Sequence, residues 1–204
     1  MRAQFTPLGA ILIVAMIVSL ISIAYIWSDS MIDTQKAYVD FVYAKNKQME
    51  IRDAIDVVSG GEGRQELVTV DLDRIWLELN EGDPYKGTIN SFTIESNSLD
   101  LIADSSERVL LDDWTDIDPD DEISPVGKLG EDSHGLIIGR TEGDKDRIRL
   151  WYRDLYDGES YYRVELKRSS PWNIQSDRTT LILTNTGERA SNGNRITQIT
   201  VSVK

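Results

Sequence analysis

The chain has 204 residues, a formal net charge of −13, no cysteine and one histidine, and Arg2 is the only charged side chain in residues 1–27. So acidic a remainder repels nucleic acid and anionic headgroups, and no nucleic-acid partner is expected. Without cysteine there is no disulfide, thiolate metal site or cysteine nucleophile, and His134 alone cannot build a zinc site of His and Cys ligands.

The first predicted element is residues 8–27, LGAILIVAMIVSLISIAYIW, which carries no charged side chain. At a rise of about 1.5 Å per residue it covers roughly 30 Å, the thickness of a hydrocarbon core. A lone span in lipid has to be helical, because no water is present to satisfy open backbone groups. Thr6 and Pro7 fit the N-cap and first helical positions. The apolar run is longer than the roughly 7–15 residues of a cleaved secretory signal, and no A-x-A-like site follows Trp27, so an uncleaved anchor is expected. Arg2 precedes the span while Asp29 and Asp33 follow it. The positive-inside rule therefore places residues 1–7 in the cytoplasm and the remainder outside, with Tyr25 and Trp27 at the outer interface. Membrane lipid is the first expected partner.

Residues 28–59 contain no glycine or proline, and Phe41, Ala44, Gln48, Ile51, Ile55 and Val58 recur at three- and four-residue spacing. They read as a helical stalk, its second half laid on a domain or on neighbouring subunits. Ser59-Gly60-Gly61 reads as its end, with glycine in the left-handed C′ conformation.

Residues 62–204 change to a period of two. Strands are predicted at 67–72, 74–79, 88–95, 99–102, 109–111, 136–139, 148–152, 161–167, 179–184 and 195–203. Asp157-Gly158 reads as a hairpin between the 148–152 and 161–167 strands, and Asn192-Gly193 lies in the last connection. Half-polar strands imply a sheet face in water. The fold class expected is α+β: an N-terminal transmembrane helix and stalk, then a mainly antiparallel β-sandwich over 62–204.

Few residues suggest chemistry. Residues 112–122, DDWTDIDPDDE, hold the densest acidic cluster, and Asp116, Asp118, Asp120 and Asp121 are candidate calcium ligands, since hard oxygen donors suit that ion. The cluster lacks the glycine and twelfth-position glutamate of an EF-hand, and a solvated acidic loop is the plainer alternative. No cofactor beyond calcium is suggested. His134 reads as a surface-loop residue beside Asp132 and Ser133, without the G-x-S-x-G elbow of a hydrolase. Trp76, Trp114, Trp151 and Trp172 read as core or rim packing, with a carbohydrate platform as the alternative. No catalytic set emerges, and no enzyme is expected.

The N-terminus, MRAQFTPLGAILIVAMIVSLISIAYIW, resembles the class III signal and first helix of archaeal type IV pilin-like proteins: pilins, archaellins and membrane-anchored stator components of the archaellum. Arg2, the small Ala3, Gln4, an aromatic residue and an unbroken apolar helix carry the likeness, over roughly the first 30 residues. It implies cleavage between Ala3 and Gln4 by a prepilin peptidase-like enzyme, with Arg2, Ala3 and Gln4 as the processing residues. It also implies that the helix stays in the membrane or packs in a filament core, where the small residues Gly9, Ala10, Ala15, Ser19 and Ser22 permit close approach. Two features depart from the family: a signal of three residues, and Leu8 where bacterial pilins carry a glutamate. The expected function is structural: a filament subunit, minor pilin or stator-type anchor at the cell surface, self-associating or joining other pilin-like or envelope proteins. The alternative is a monomeric membrane-tethered β-sandwich that binds an envelope component or glycan.

Overall fold

The computed structural model describes residues 7–81, 94, 96–105, 111–118, 123–169, 172, 177–191 and 193–204. Its fold is α+β: one long N-terminal apolar helix followed by two mostly antiparallel sheets.

Helix α1 runs unbroken over Pro7–Ser59, 53 residues, or about 80 Å at 1.5 Å per residue. Ser28, Asp29 and Ser30 do not interrupt it. Eleven strands follow among the described residues: β1 (Gln65–Asp71), β2 (Ile75–Asn80), β3 (Ser98–Asp104), β4 (Thr115–Asp116), β5 (Val126–Lys128), β6 (Gly135–Glu142), β7 (Lys145–Tyr152), β8 (Asp154–Tyr156), β9 (Tyr161–Arg168), β10 (Arg178–Ser191) and β11 (Asn194–Val203). One sheet has the order β1-β10-β11-β9-β8-β5 and the other β2-β3-β7-β6-β4. The pairs β9–β11 and β5–β8 are parallel.

Ala44, Ile51, Ile55 and Val58 of α1 are fully buried. They share one hydrophobic cluster with Val68 and Val70 of β1, Leu99 and Leu101 of β3, Ile148 and Leu150 of β7, and Leu181, Leu183, Ile199 and Val201 of β10 and β11. The second half of α1 thus packs on both sheets. Its three- and four-residue periodicity meets the two-residue periodicity of the strands, as the sequence pattern predicts.

Several details differ from expectation. The hairpin at Asp157-Gly158 joins β8 to β9, not β7 to β9. β7 belongs to the other sheet, and the chain crosses at Arg153, between Tyr152 and Asp154. Short strands β4, β5 and β8 are too brief to show alternation. The helix does not end on a left-handed glycine at Gly60 or Gly61; Gly63 takes that conformation, at φ +75°. The outer face of β7 is not simply wet, because Arg149 and Trp151 are both buried. Most of the predicted strands at 88–95 and 109–111 lie outside the described residues; Ile94, which is described, is in a turn.

Candidate functional site

The first half of α1 has no packing partner among the described residues. Thirteen large apolar side chains from Ile11 to Trp27 are between 50% and 77% exposed. At about 1.5 kcal/mol or more for each, leaving them in water costs on the order of 20 kcal/mol, above the roughly 5–15 kcal/mol net stability of a typical domain. The helix is long and apolar enough to cross a membrane. Its two mid-span hydroxyls are satisfied internally: Ser19 Oγ donates to the Ala15 carbonyl and Ser22 Oγ to that of Val18, both at 2.8 Å. Such internal satisfaction is what a lipid-facing helix requires. At about 100° per residue, Ala15, Ser19 and Ser22 fall on one stripe about 60° wide, while Gly9 lies about 80° beyond it and Ala10 on the far side of the helix. The predicted small residues therefore do not make one continuous seam. Arg2, Ala3 and Gln4 lie outside the described residues.

The helix meets the β-domain at Ala37, its first buried residue. Around the junction, Asp40 forms an ion pair with Arg74 at 3.1 Å, and the Tyr43 hydroxyl accepts the Asp71 amide at 2.7 Å. Burial pushes the Asp40 carboxyl above its ordinary pKa; the Arg74 guanidinium opposes this, while Asp104 and Asp73 add to it. Below this point a cleft of about 420 Å³ opens between the helix and the strand ends, lined by Ser30, Asp33, Thr34, Ala37, Arg74, Asp104 and Ser105.

Three buried amides lock the helix and sheets together. Gln48 Nε2 donates to the carbonyls of Leu99 (2.8 Å) and Ile148 (2.9 Å), tying α1 to β3 and β7. Asn97 joins the two sheets: its Nδ2 donates to the carbonyls of Tyr152 (3.1 Å) and Val164 (2.8 Å), and its Oδ1 accepts the Leu166 amide at 2.9 Å. Its φ of +56° is left-handed, which asparagine tolerates better than most residues. Asn185 closes the helix end, donating from Nδ2 to the Val58 carbonyl at 3.2 Å and the Ser59 carbonyl at 3.4 Å. Arg64 Nη1 donates to the Val57 carbonyl at 3.2 Å, and the Gly61 amide to that of Val58 at 3.4 Å. These donors satisfy carbonyls that a helix end leaves open, so no left-handed glycine is needed at position 60 or 61.

The outer face of the five-stranded sheet holds a buried ion-pair network. Asp100 accepts from Arg149 Nε and Nη2, both at 2.7 Å, and from Arg147 Nη1 at 2.7 Å. The Arg149 guanidinium also lies 4.4 Å from the ring centre of Trp114. Trp114 packs with Ile94 and Ile123 on the cluster of Leu136, Ile138 and Trp151, so the β6–β7 part of this face is covered by chain from both before and after β3. The remaining described tryptophans of the β-domain are engaged separately, Trp76 beneath the Lys145 ammonium at 4.1 Å and Trp172 beside Arg168 at 5.0 Å.

Asp118 forms an ion pair with Arg52 of α1, and Asp116 Oδ1 accepts the Asp118 amide at 2.9 Å. Both are thus engaged within the protein, and Asp120 and Asp121 lie outside the described residues. Among the described residues no group of three or more acidic or histidine side chains is placed to hold a metal. His134 is half-buried rather than on the surface as expected. Burial is the main cause of a pKa lowered to about 4; a hydrogen bond to the Tyr162 backbone works against it, and the Arg153 charge adds to it. Its Nε2 is buried without a hydrogen-bond partner among the described residues.

Sequence reasoning missed Asn97, Asn185 and Arg149, because isolated polar residues in a polar strand or turn look solvated. Gln48 was placed correctly on the buried stripe, but nothing in its spacing foretold bonds to strand carbonyls. No protein-family model, curated protein or solved structure matches this chain.

Proposed function

We propose that this chain is a structural surface protein, an archaeal pilin-like subunit serving as a filament subunit, minor pilin or stator-type anchor. The N-terminus lies in the cytoplasm and the β-domain outside the cell, with the two sheets packed as a sandwich on the second half of the helix. One observation carries the reading: a single unbroken helix is bare and apolar over its first half and forms the core of the β-domain over its second. A flexible tether would let a domain drift, whereas a helix continuous into the core transmits the orientation of the membrane or of a filament directly to the domain. Processing occurs between Ala3 and Gln4, removing Arg2 and freeing the helix to associate with further copies or other pilin-like proteins. Trp114 and Trp151 pack into one cluster while Trp76 and Trp172 each face a different cation, an arrangement that gives no support to a glycan-binding platform.

Mass spectrometry of the native N-terminus, with protease applied to intact cells, tests this function. A mature chain beginning at Gln4 and cleavage of residues 60–204 from outside are expected. An intact Met1 rejects the processed-pilin role, and protection of the β-domain until lysis rejects the orientation.

A further inference from the structure

The cleft at the foot of the β-domain is polar, is filled by no side chain among the described residues, and lies where the anchor leaves its apolar run. We propose that it seats the headgroup of a zwitterionic membrane phospholipid, so that the β-domain stands on the headgroup layer rather than clear of it. The proposal rests on the reading of residues 8–27 as a membrane span.

Position is the first reason. Ser30 and Ala37, which line the cleft, are three and ten residues beyond Trp27 on the same unbroken helix. At about 1.5 Å per residue the cleft therefore begins about 5 Å past the end of the apolar run and reaches about 15 Å. Beyond a hydrocarbon core of about 30 Å, each headgroup layer adds roughly 5–8 Å. The lower part of the cleft lies in that layer.

Chemistry is the second reason. Arg74, the cation in the cleft wall, has a side chain 36% exposed even with Asp40 beside it. Its planar guanidinium carries further N–H donors suited to a phosphate, and it supplies them alone, because the hydroxyls of Thr34 and Ser105 on the same walls already donate to the Ser30 carbonyl and to Asp146, both at 2.9 Å. Asp33 and Asp104 line the cleft too; Asp33 pairs with Lys36 at 3.5 Å and Asp104 with Lys145, yet both side chains stay well exposed. Their carboxylates oppose a purely anionic headgroup but suit the cationic end of a zwitterionic one. Trp76, two residues from Arg74 and 51% exposed, supplies the amphipathic aromatic side chain that favours a membrane interface.

The chain has no cysteine, so single nitroxide labels can be placed cleanly. The full chain is labelled in turn at Tyr25→Cys in the span, at Asp144→Cys and at Glu188→Cys. The Asp144 carbonyl accepts the Ser105 amide at 2.8 Å, which fixes that label at the foot, and Glu188 lies in the β10–β11 arm beyond the helix end. Each variant is placed in phosphatidylcholine nanodiscs whose headgroups carry a paramagnetic relaxing ion. Strong relaxation is expected at 25 and 144, with at least fivefold less at 188. Arg74→Gln should lower relaxation at 144 at least threefold while leaving 25 unchanged, and Arg74→Lys should restore part of it. Exchanging phosphatidylcholine for phosphatidylglycerol should lower it at least twofold. Relaxation at 25 with none at 144 overturns the headgroup seat and leaves the anchor standing. No relaxation at any of the three overturns the anchor reading itself. Insensitivity to Arg74→Gln, or equal relaxation in both lipids, overturns the assignment of the cleft to a zwitterionic phosphate.

Discussion

Replacing Asn97 by alanine removes the polar clamp between the two sheets, and its cost can be worked from the geometry. Three hydrogen bonds disappear, to the Tyr152 carbonyl, the Val164 carbonyl and the Leu166 amide. At about 1 kcal/mol each, that is roughly 3 kcal/mol before any penalty for the buried groups left open. Alanine must also hold φ at +56°, which costs an L-residue about 1–2 kcal/mol more. A loss of roughly 4–5 kcal/mol is expected. Asn97→Gly keeps the hydrogen-bond loss but lifts the backbone strain, so it should be less damaging by about 1 kcal/mol. Asn97→Asp retains an acceptor for Leu166 but turns a carboxylate toward two carbonyl oxygens, and should be at least as damaging as alanine. The assay is denaturant unfolding of the full chain in nanodiscs, followed by tryptophan fluorescence, with the three variants compared at equal denaturant slope. Asn97→Ala within about 1 kcal/mol of wild type would refute the clamp. Glycine no better than alanine would refute the strain contribution.

Two further outcomes follow from the buried groups. The folded pKa of His134 is about 4 against an ordinary 6.5, so below pH 6.5 the unfolded chain takes a proton that the native chain refuses. Stability should therefore fall between pH 6.5 and about 4, by roughly 3 kcal/mol from this group. Asp40, whose carboxyl is raised, works in the opposite direction, so the measurement compares wild type with His134→Gln across that window. Equal pH profiles would refute the assignment to His134. Asn185→Ala uncovers the Val58 and Ser59 carbonyls and should cost about 1–2 kcal/mol, seen as faster amide exchange at the C-terminal turn of α1; unchanged exchange there would mean that Arg64 and Gly61 suffice.

The periodicities that are long were legible. A twenty-residue uncharged run and a stripe of Phe41, Ala44, Ile51, Ile55 and Val58 give a helix from Pro7 to Ser59 because each turn repeats the same signal. Strands such as β7 and β9 declared themselves by alternation. What stayed hidden depends on partners far along the chain. Tyr152 and Asp154 are two residues apart yet belong to different sheets, and no local pattern marks Arg153 as the crossing. Arg149 reads as a solvent-facing strand residue, but Asp100 is 49 residues away in sequence and buries it in a paired network. Asp118 reads as part of an acidic loop until Arg52, 66 residues earlier, is brought against it. The apolar span was plain from composition. The cleft beneath Arg74 was not, because it joins residues from α1, the β1–β2 connection and the end of β3.

That one unbroken helix serves both as membrane span and as the strut in the core of the β-domain is tested most directly by a distance between two nitroxides on the full chain in nanodiscs. Tyr25→Cys and Asp53→Cys place them 28 residues apart on α1, both at exposed positions. At 1.5 Å per residue a continuous helix predicts a single narrow distribution near about 42 Å. A broad distribution, or one centred well below that distance, would mean a hinge between bilayer and domain and would contradict the rigid-strut arrangement.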